Sequence, residues 1–200
     1  MAGFSAHQQG YSLLENLIAL LVLSFGILAS LSLQVTAAAN VGAASQRSVA
    51  AQLAEDLLAR LRTQIQANGE ELDVQALWAV SGPPSPPCSR SIDCAGPAML
   101  GFELSDWRQL LAGDRQRLMQ DGAWLSTGGL IDAQACLITP ASGLHGLYRI
   151  VLVWRSSMAT ANPHLDDPQV DACGNDPDRY GAGNAYRQVL SLSSYIGGPR

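Results

Sequence analysis

Gly10-Tyr11-Ser12-Leu13-Leu14-Glu15-Asn16, running directly into the apolar stretch Leu17 to Leu33, is the segment whose reading decides the fold. Leu17 to Leu33 contains no charge and no proline. With Tyr11 to Asn16 included the segment is about 23 residues long, close to the ~20 that cross a hydrocarbon core as a helix. A carboxylate, Glu15, stands two residues before the run. An ionisable group is costly in a bilayer and is kept there for a purpose, so Glu15 is read as a functional residue. Gly26 and the serines at 24, 30 and 32 are small enough to let another helix approach closely.

The helical pattern continues beyond the apolar run. Gln34 to Gln66 has no proline, one glycine (Gly42) and many good helix formers. Val49, Leu53, Leu57, Leu61 and Ile65 recur every four residues and Leu58 widens the stripe, which is an amphipathic face of helical period. Asp56 and Arg60 are spaced for an i,i+4 pair on the solvent side. Asn68-Gly69 is a stop signal. A helix from Ser12 to Ala67 would be about 80 Å long at 1.5 Å per residue. Its first half is apolar all round, and its second half needs a covering layer from the same chain.

Four cysteines, Cys88, Cys94, Cys136 and Cys173, all follow the apolar run, with five, 41 and 36 residues between them. No Cys-x-x-Cys and no neighbouring histidine pair is present, so zinc ligation is disfavoured against two disulfides in an extracytoplasmic domain. Four cysteines allow three connectivities. Pairing of neighbours, Cys88 with Cys94 and Cys136 with Cys173, is the simplest closure. The chain carries 17 acidic and 12 basic residues, none of them lysine, for a net charge of -5. Without a basic run it is a poor nucleic-acid binder. Only 14% of the residues are charged, against roughly 25% in a typical soluble domain.

After the long helix, Leu72 to Val80 reads as a short helical or irregular segment. Ser81 to Pro87 is a proline-rich surface connection. Phe102 to Leu111 has an apolar side and ends at Gly113, which predicts a helix with Trp107 in the core. Asp114 to Gln120 is expected to extend it by a turn. Three strands are expected: one within Gly129 to Thr139, one at Leu147 to Arg155, rich in β-branched and aromatic residues, and one at Tyr186 to Ile196. Ser156 to Ala185 is expected to be a long loop tied down by Cys173. The expected class is α+β, a small antiparallel sheet laid on the amphipathic half of the first helix.

Catalytic signatures are lacking. His7, His145 and His164 are scattered, and neither a nucleophile-base motif nor a phosphate-cradling glycine loop occurs. The chain is therefore not expected to be an enzyme, and no cofactor or metal site is expected. Asp166, Asp167, Asp171, Asn175, Asp176 and Asp178 offer oxygen ligands in one loop, but their spacing is not that of an EF-hand, and a solvated acidic loop is the preferred reading.

A short polar leader, Met1 to Gly10, before a retained apolar segment is not the layout of a secretory signal peptide. It resembles the N-terminus of type IV prepilins. The matching residues are Gly10, then Tyr11, Ser12, Leu13, Leu14 and Glu15, then the apolar run. Tyr11 replaces the usual Phe, and the leader lacks the usual Lys or Arg. A second glycine, in Gly3-Phe4-Ser5, is rejected because Gln8 then stands in the carboxylate position. The resemblance implies cleavage after Gly10 by a prepilin peptidase, N-methylation of Tyr11, and an assembly role for Glu15 toward the amino terminus of a neighbouring subunit. The cysteine spacing, the Asp106-Trp107 helix, the Tyr148 to Trp154 strand and the cysteine in the following loop narrow the likeness to PilV-type minor pilins, also called type IV pilus modification proteins. On that reading residues 1–10 are a removed leader, 11–34 a transmembrane and assembly helix, 35–68 its amphipathic continuation and 69–200 an extracytoplasmic pilin domain with two disulfides. It places the chain in the inner membrane with a periplasmic C-terminal domain, then in the pilus among minor and major pilins. A minor pseudopilin of a type II secretion system shares the same leader and carboxylate. A plain signal-anchored periplasmic binding domain is the alternative from another class.

Overall fold

The computed structural model describes residues 13–68, 72–80, 94–126, 128–160 and 166–198. The fold is α+β: a long N-terminal helix with antiparallel strands. The chain divides into two compact units, Met1–Val41 and Gly42–Arg200. Helix α1 (Leu13–Asn68) contributes to both, so an uninterrupted run of helix formers has overridden the single glycine at Gly42.

In the first unit every described residue from Leu13 to Ala38 is exposed. In the second, the stripe read from the sequence is buried: Leu57, Leu61 and Ile65 are completely covered, with Ala50 and Ala54 completing the face and Val49 and Leu53 packed at its margin. Two shorter helices follow, α2 (Val74–Ala79) and α3 (Pro97–Leu111). Asp73 caps α2 by accepting from the Ala76 amide at 2.9 Å. Helix α3 begins five residues before the expected Phe102, because Pro97 occupies its first turn, where a missing N–H costs nothing. Leu100, Leu104, Trp107 and Leu111 carry its buried face into the core formed with α1.

The expected helical turn at Asp114 to Gln120 does not form. Residues 112–116 turn, and the chain enters a hairpin of β1 (Arg117–Gln120) and β2 (Ala123–Ser126). Two local causes are visible. Asp121 and Gly122 both have positive φ, 49° and 81°, the geometry of a tight two-residue hairpin turn. Gly113, at φ 73°, approaches Gly128 so closely that a Cβ would lie 1.7 Å from the Gly128 carbonyl oxygen, so the helix stops there.

The second sheet has the order β3-β4-β5, formed by β3 (Gln134–Ile138), β4 (Gly146–Arg155) and β5 (Arg187–Ile196), all antiparallel. Period-2 alternation divides the central strand. Tyr148, Ile150, Leu152 and Trp154 join the core containing the α1 and α3 residues, while Val151 and Val153 join a second cluster with Val170, Cys173 and Tyr180. Both faces of β4 are thus covered, which is why it reads as a near-continuous apolar run rather than an alternating one.

The segment Ser156 to Ala185 is not a plain loop. It contains a short helix, α4 (Pro168–Ala172), and a 3-10 turn (Ala182–Asn184). A disulfide between Cys136 on β3 and Cys173 just after α4 fastens it to the sheet. Cys94 is also disulfide-bonded; Cys88, its expected partner, lies outside the described residues.

Candidate functional site

The functional segment begins at the first described residue. Gly10 and Tyr11 lie outside the described residues. Glu15 sits in the first turn of α1, where the free backbone N–H groups of a helix start favour negative charge. It is exposed, and no cation among the described residues forms an ion pair with it. From Leu17 to Leu33 the helix presents only apolar and small side chains to its surroundings. Leu14, Leu20, Phe25 and Leu28 are each more than 60% exposed, an extended apolar patch of the kind that marks a membrane or protein contact. Helix α1 is long and apolar enough to cross a membrane.

Two hydroxyls in this segment bond to their own helix backbone. Ser24 Oγ donates to the Leu21 carbonyl at 2.8 Å, and Thr36 Oγ1 to the Ser32 carbonyl at 3.1 Å. Each hydroxyl is therefore satisfied within its own helix, as a water-free environment requires. A Cβ placed on Gly26 would meet nothing within 4 Å, so its notch is open to a second helix.

Elsewhere the charged residues build structure. Arg60 pairs with Asp56 at 2.9 Å as the spacing implied, but not on the solvent side: its other nitrogen reaches Asp106 of α3 at 3.1 Å, and Arg115 also binds Asp106. Asp106 is only 13% exposed, so the ion pair joins two helices. Beside it, Trp107 Nε1 donates to the Leu53 carbonyl at 2.8 Å. Burial pushes the Arg108 guanidinium down from its ordinary value, and Arg108 lies over the Trp78 ring at 4.9 Å.

In the acidic loop Asp166 and Asp176 are exposed, while other members make internal contacts. Asp167 accepts from the Gln169 amide at the start of α4 and pairs with Arg149 of the sheet. Asp178 accepts from the Gly183 amide at 2.7 Å, and Asn175 accepts from Asn184 at 3.0 Å. Among the described residues no group of three or more His, Cys, Asp or Glu side chains is placed to hold a metal ion. Arg187 is completely buried, and its Nη2 donates to the carbonyls of Asp171 and Cys173 at 2.7 and 2.8 Å, which closes the end of α4 against the sheet.

Asp167 gives a pH prediction. The Gln169 amide bond and then Arg149 hold its carboxyl below the usual carboxylate range. A carboxyl depressed in the folded state stabilises the fold above its unfolded pKa, and that contribution disappears as pH falls through the folded value. Asp167→Ala should therefore lower the melting temperature by a few degrees at neutral pH. The difference from the parent should close on acidification below the ordinary carboxylate range. Melting curves across that range check it; a constant difference at all pH values would count against the assignment.

Comparison with known proteins bears on the N-terminus alone. Residues 5–31 match the family model for the prokaryotic N-terminal methylation motif. Among curated proteins and among solved structures nothing matches the chain. The matched segment holds the Gly10 junction, Glu15 and most of the apolar run. It supports a type IV pilin-like or pseudopilin-like chain, a structural protein processed by prepilin peptidase, assembled with pilins and anchored in a membrane by its apolar helix.

Proposed function

We propose that this chain is a minor type IV pilin of the PilV type, held in the inner membrane by α1 with its second unit in the periplasm, and drawn into the pilus to prime or modify its assembly. The observation that carries the reading is the methylation motif continuing into an apolar helix whose first turn holds an exposed Glu15. The cysteine and tryptophan placement supports the PilV type.

The physical role follows from the chemistry of Glu15. Cleavage after Gly10 makes Tyr11 the first residue and exposes an α-amine, whose ordinary pKa near 8 leaves it largely protonated at neutral pH. N-methylation leaves a basic amine. A carboxylate facing hydrocarbon is costly, and pairing with a cation recovers part of that cost. The amine of an adjacent subunit supplies the cation, so two uncompensated charges become one pair when helices bundle. The small notch at Gly26 and the self-satisfied hydroxyls favour the same close packing.

Intact-mass analysis of the membrane-extracted protein is the direct test. A mature chain starting at methylated Tyr11 is expected; a start at Met1 or Ala2 would mean a plain signal anchor. In cells, Glu15→Ala should leave cleavage intact and reduce incorporation severalfold, read as the ratio of this chain in sheared pili to that in membranes. Normal incorporation would remove Glu15 from the assembly step. A pseudopilin of a type II secretion system predicts the same mature mass, and a deletion strain separates the two: lost piliation or twitching against lost secretion.

A further inference from the structure

Arg108 is the exception among the arginines of the second unit that are withdrawn from solvent. Arg60, Arg149, Arg155 and Arg187 each pair with an aspartate. Arg108 is half-buried on α3, and among the described residues it forms no ion pair. Its Nη1 donates to the Val80 carbonyl at 2.6 Å, and its Nη2 donates to the Trp78 carbonyl. The guanidinium also lies over the Trp78 ring at 4.9 Å. Neutral carbonyls and an aromatic face thus fix the group in place without giving it an anion. A guanidinium side chain carries five N–H donors, and these two bonds use only part of them. Burial of a charge without a counter-charge is costly, which is why its pKa is pushed down.

Arg108 lines a cleft of about 520 Å³, a volume within the usual range for small-ligand sites. Trp78, Leu111, Ala112, Leu130, Ala133 and Ala135 form most of the remaining wall. Asp132 also lines it, but that carboxylate is held by Arg155 at 3.5 Å and Arg179 at 3.1 Å. Asp106, two positions before Arg108, is likewise shared between Arg60 and Arg115. Each acid is already outnumbered by its cations, so neither is free to neutralise Arg108. The cleft is a positive site on a chain whose net charge is -5. Its walls decide which anion suits it. A strongly hydrated phosphate gains nothing from leucine, alanine and tryptophan, whereas an apolar body does. A planar carboxylate also matches the fork of a guanidinium, which is more weakly hydrated than an ammonium.

We propose that this cleft binds a carboxylate carried on a small apolar body, with the carboxylate on Arg108 and the body against Trp78 and the alanine-rich wall. The guanidinium is immobilised before the ligand arrives, so little side-chain entropy is lost on binding. The incoming anion supplies the counter-charge that the fold does not, and the apolar body excludes water from the pair. Ala112, Ala133 and Ala135 leave the room that larger side chains would fill. The lining residues all belong to the second unit, so the site goes beyond the assembly role given to α1 and does not depend on it.

The test uses the full chain, labelled with nitrogen-15, in phospholipid nanodiscs. The chain has four tryptophans, Trp78, Trp107, Trp124 and Trp154, and so four indole N–H signals, of which Trp78→Phe identifies one. N-acetyl-leucine is titrated against its neutral amide and against inorganic phosphate. The acid should shift the Trp78 signal saturably. The amide and phosphate should act at least about tenfold more weakly, the size of one charge-assisted hydrogen bond lost. Arg108→Gln should remove the preference for the acid over the amide. Because that change also disturbs the bonds to Val80 and Trp78, a second variant leaves Arg108 intact. Ala112 is exposed at the end of α3, and Ala112→Phe should fill the cleft and abolish the shift, with the Trp107 and Trp154 signals unmoved. Equal responses to acid and amide would overturn the proposal. It is equally overturned if phosphate binds as tightly as the acid, if the acid leaves Trp78 unmoved, or if Ala112→Phe responds like the parent.

Discussion

A chain carrying Gly10→Val is expected to persist at full length in the membrane and to be missing from pili. A peptidase must bring its catalytic groups against the backbone at the scissile bond, and glycine allows the closest approach because it has no Cβ. A β-branched side chain obstructs that approach, and an ångström of misplacement at a reacting bond costs on the order of 100-fold in rate. The consequence extends beyond the leader. Uncleaved, the α-amine stays at Met1, ten residues ahead of Tyr11, and cannot meet the carboxylate of a neighbouring Glu15. One substitution should therefore abolish both processing and incorporation, whereas Glu15→Ala should impair only the second. Immunoblots of membrane and sheared-pilus fractions read both. Gly3→Val is the control: Gln8 occupies the carboxylate position for that glycine, so processing should be unchanged. A normal mature band from Gly10→Val would displace the cleavage site from this junction.

The largest loss of stability should come from Trp107→Ala. Trp107 is fully buried between α1 and α3, meets Trp78 at a ring separation of 5.9 Å, and donates to the Leu53 carbonyl. Truncating a buried tryptophan removes its transfer free energy and leaves a cavity, together about 3–5 kcal/mol. That is a large share of the roughly 5–15 kcal/mol that holds a typical domain together. Trp107→Phe retains most of the apolar volume and loses the indole donor, so a smaller cost is expected. Thermal melts in mild detergent, followed by near-UV circular dichroism, report on the second unit. Membrane insertion of the chain should be unaffected, because the apolar residues of the first unit make no use of Trp107. A melting temperature unchanged by the alanine variant would show that Trp107 does not hold the α1–α3 contact.

The helix and central strand were legible because their signals are local. Val49 to Ile65 repeats with the period of one helical face, and Tyr148 to Trp154 is dense in residues that fit a pleated sheet. The hairpin had a legible signal as well, Asp121-Gly122 between Arg117-Leu118-Met119-Gln120 and Ala123-Trp124-Leu125-Ser126. Reading Asp114 to Gln120 as helix gave the helix propensity of Arg, Gln, Leu and Met, good formers but a weak prior over so short a segment, precedence over a turn dipeptide that favours one geometry strongly. The Asp-rich loop is solvated at Asp166, Asp176 and Asp178, which are exposed, but its residue types do not announce that Asp167 and Asp178 also accept from nearby amides and that Asp167 pairs with Arg149 of the sheet.

By itself the sequence determined that it carries a membrane-length apolar helix, that a glycine junction of prepilin type and one carboxylate stand at its start, and that its later turns must be covered by an apolar layer. Each of these depends on residue type and spacing along a single element. Only the tertiary structure decided what covers that layer, that Arg60 and Asp106 join two helices rather than face water, that Arg187 is buried against the end of α4, and that all eight strand residues of the β1–β2 hairpin are left exposed. Those outcomes depend on which donors, acceptors and surfaces distant segments bring together. Burial of a guanidinium is tolerable when it is paired and hydrogen-bonded, here to the carbonyls of Asp171 and Cys173 and to the Asp171 carboxylate at 3.6 Å, and no spacing within one strand can announce those partners.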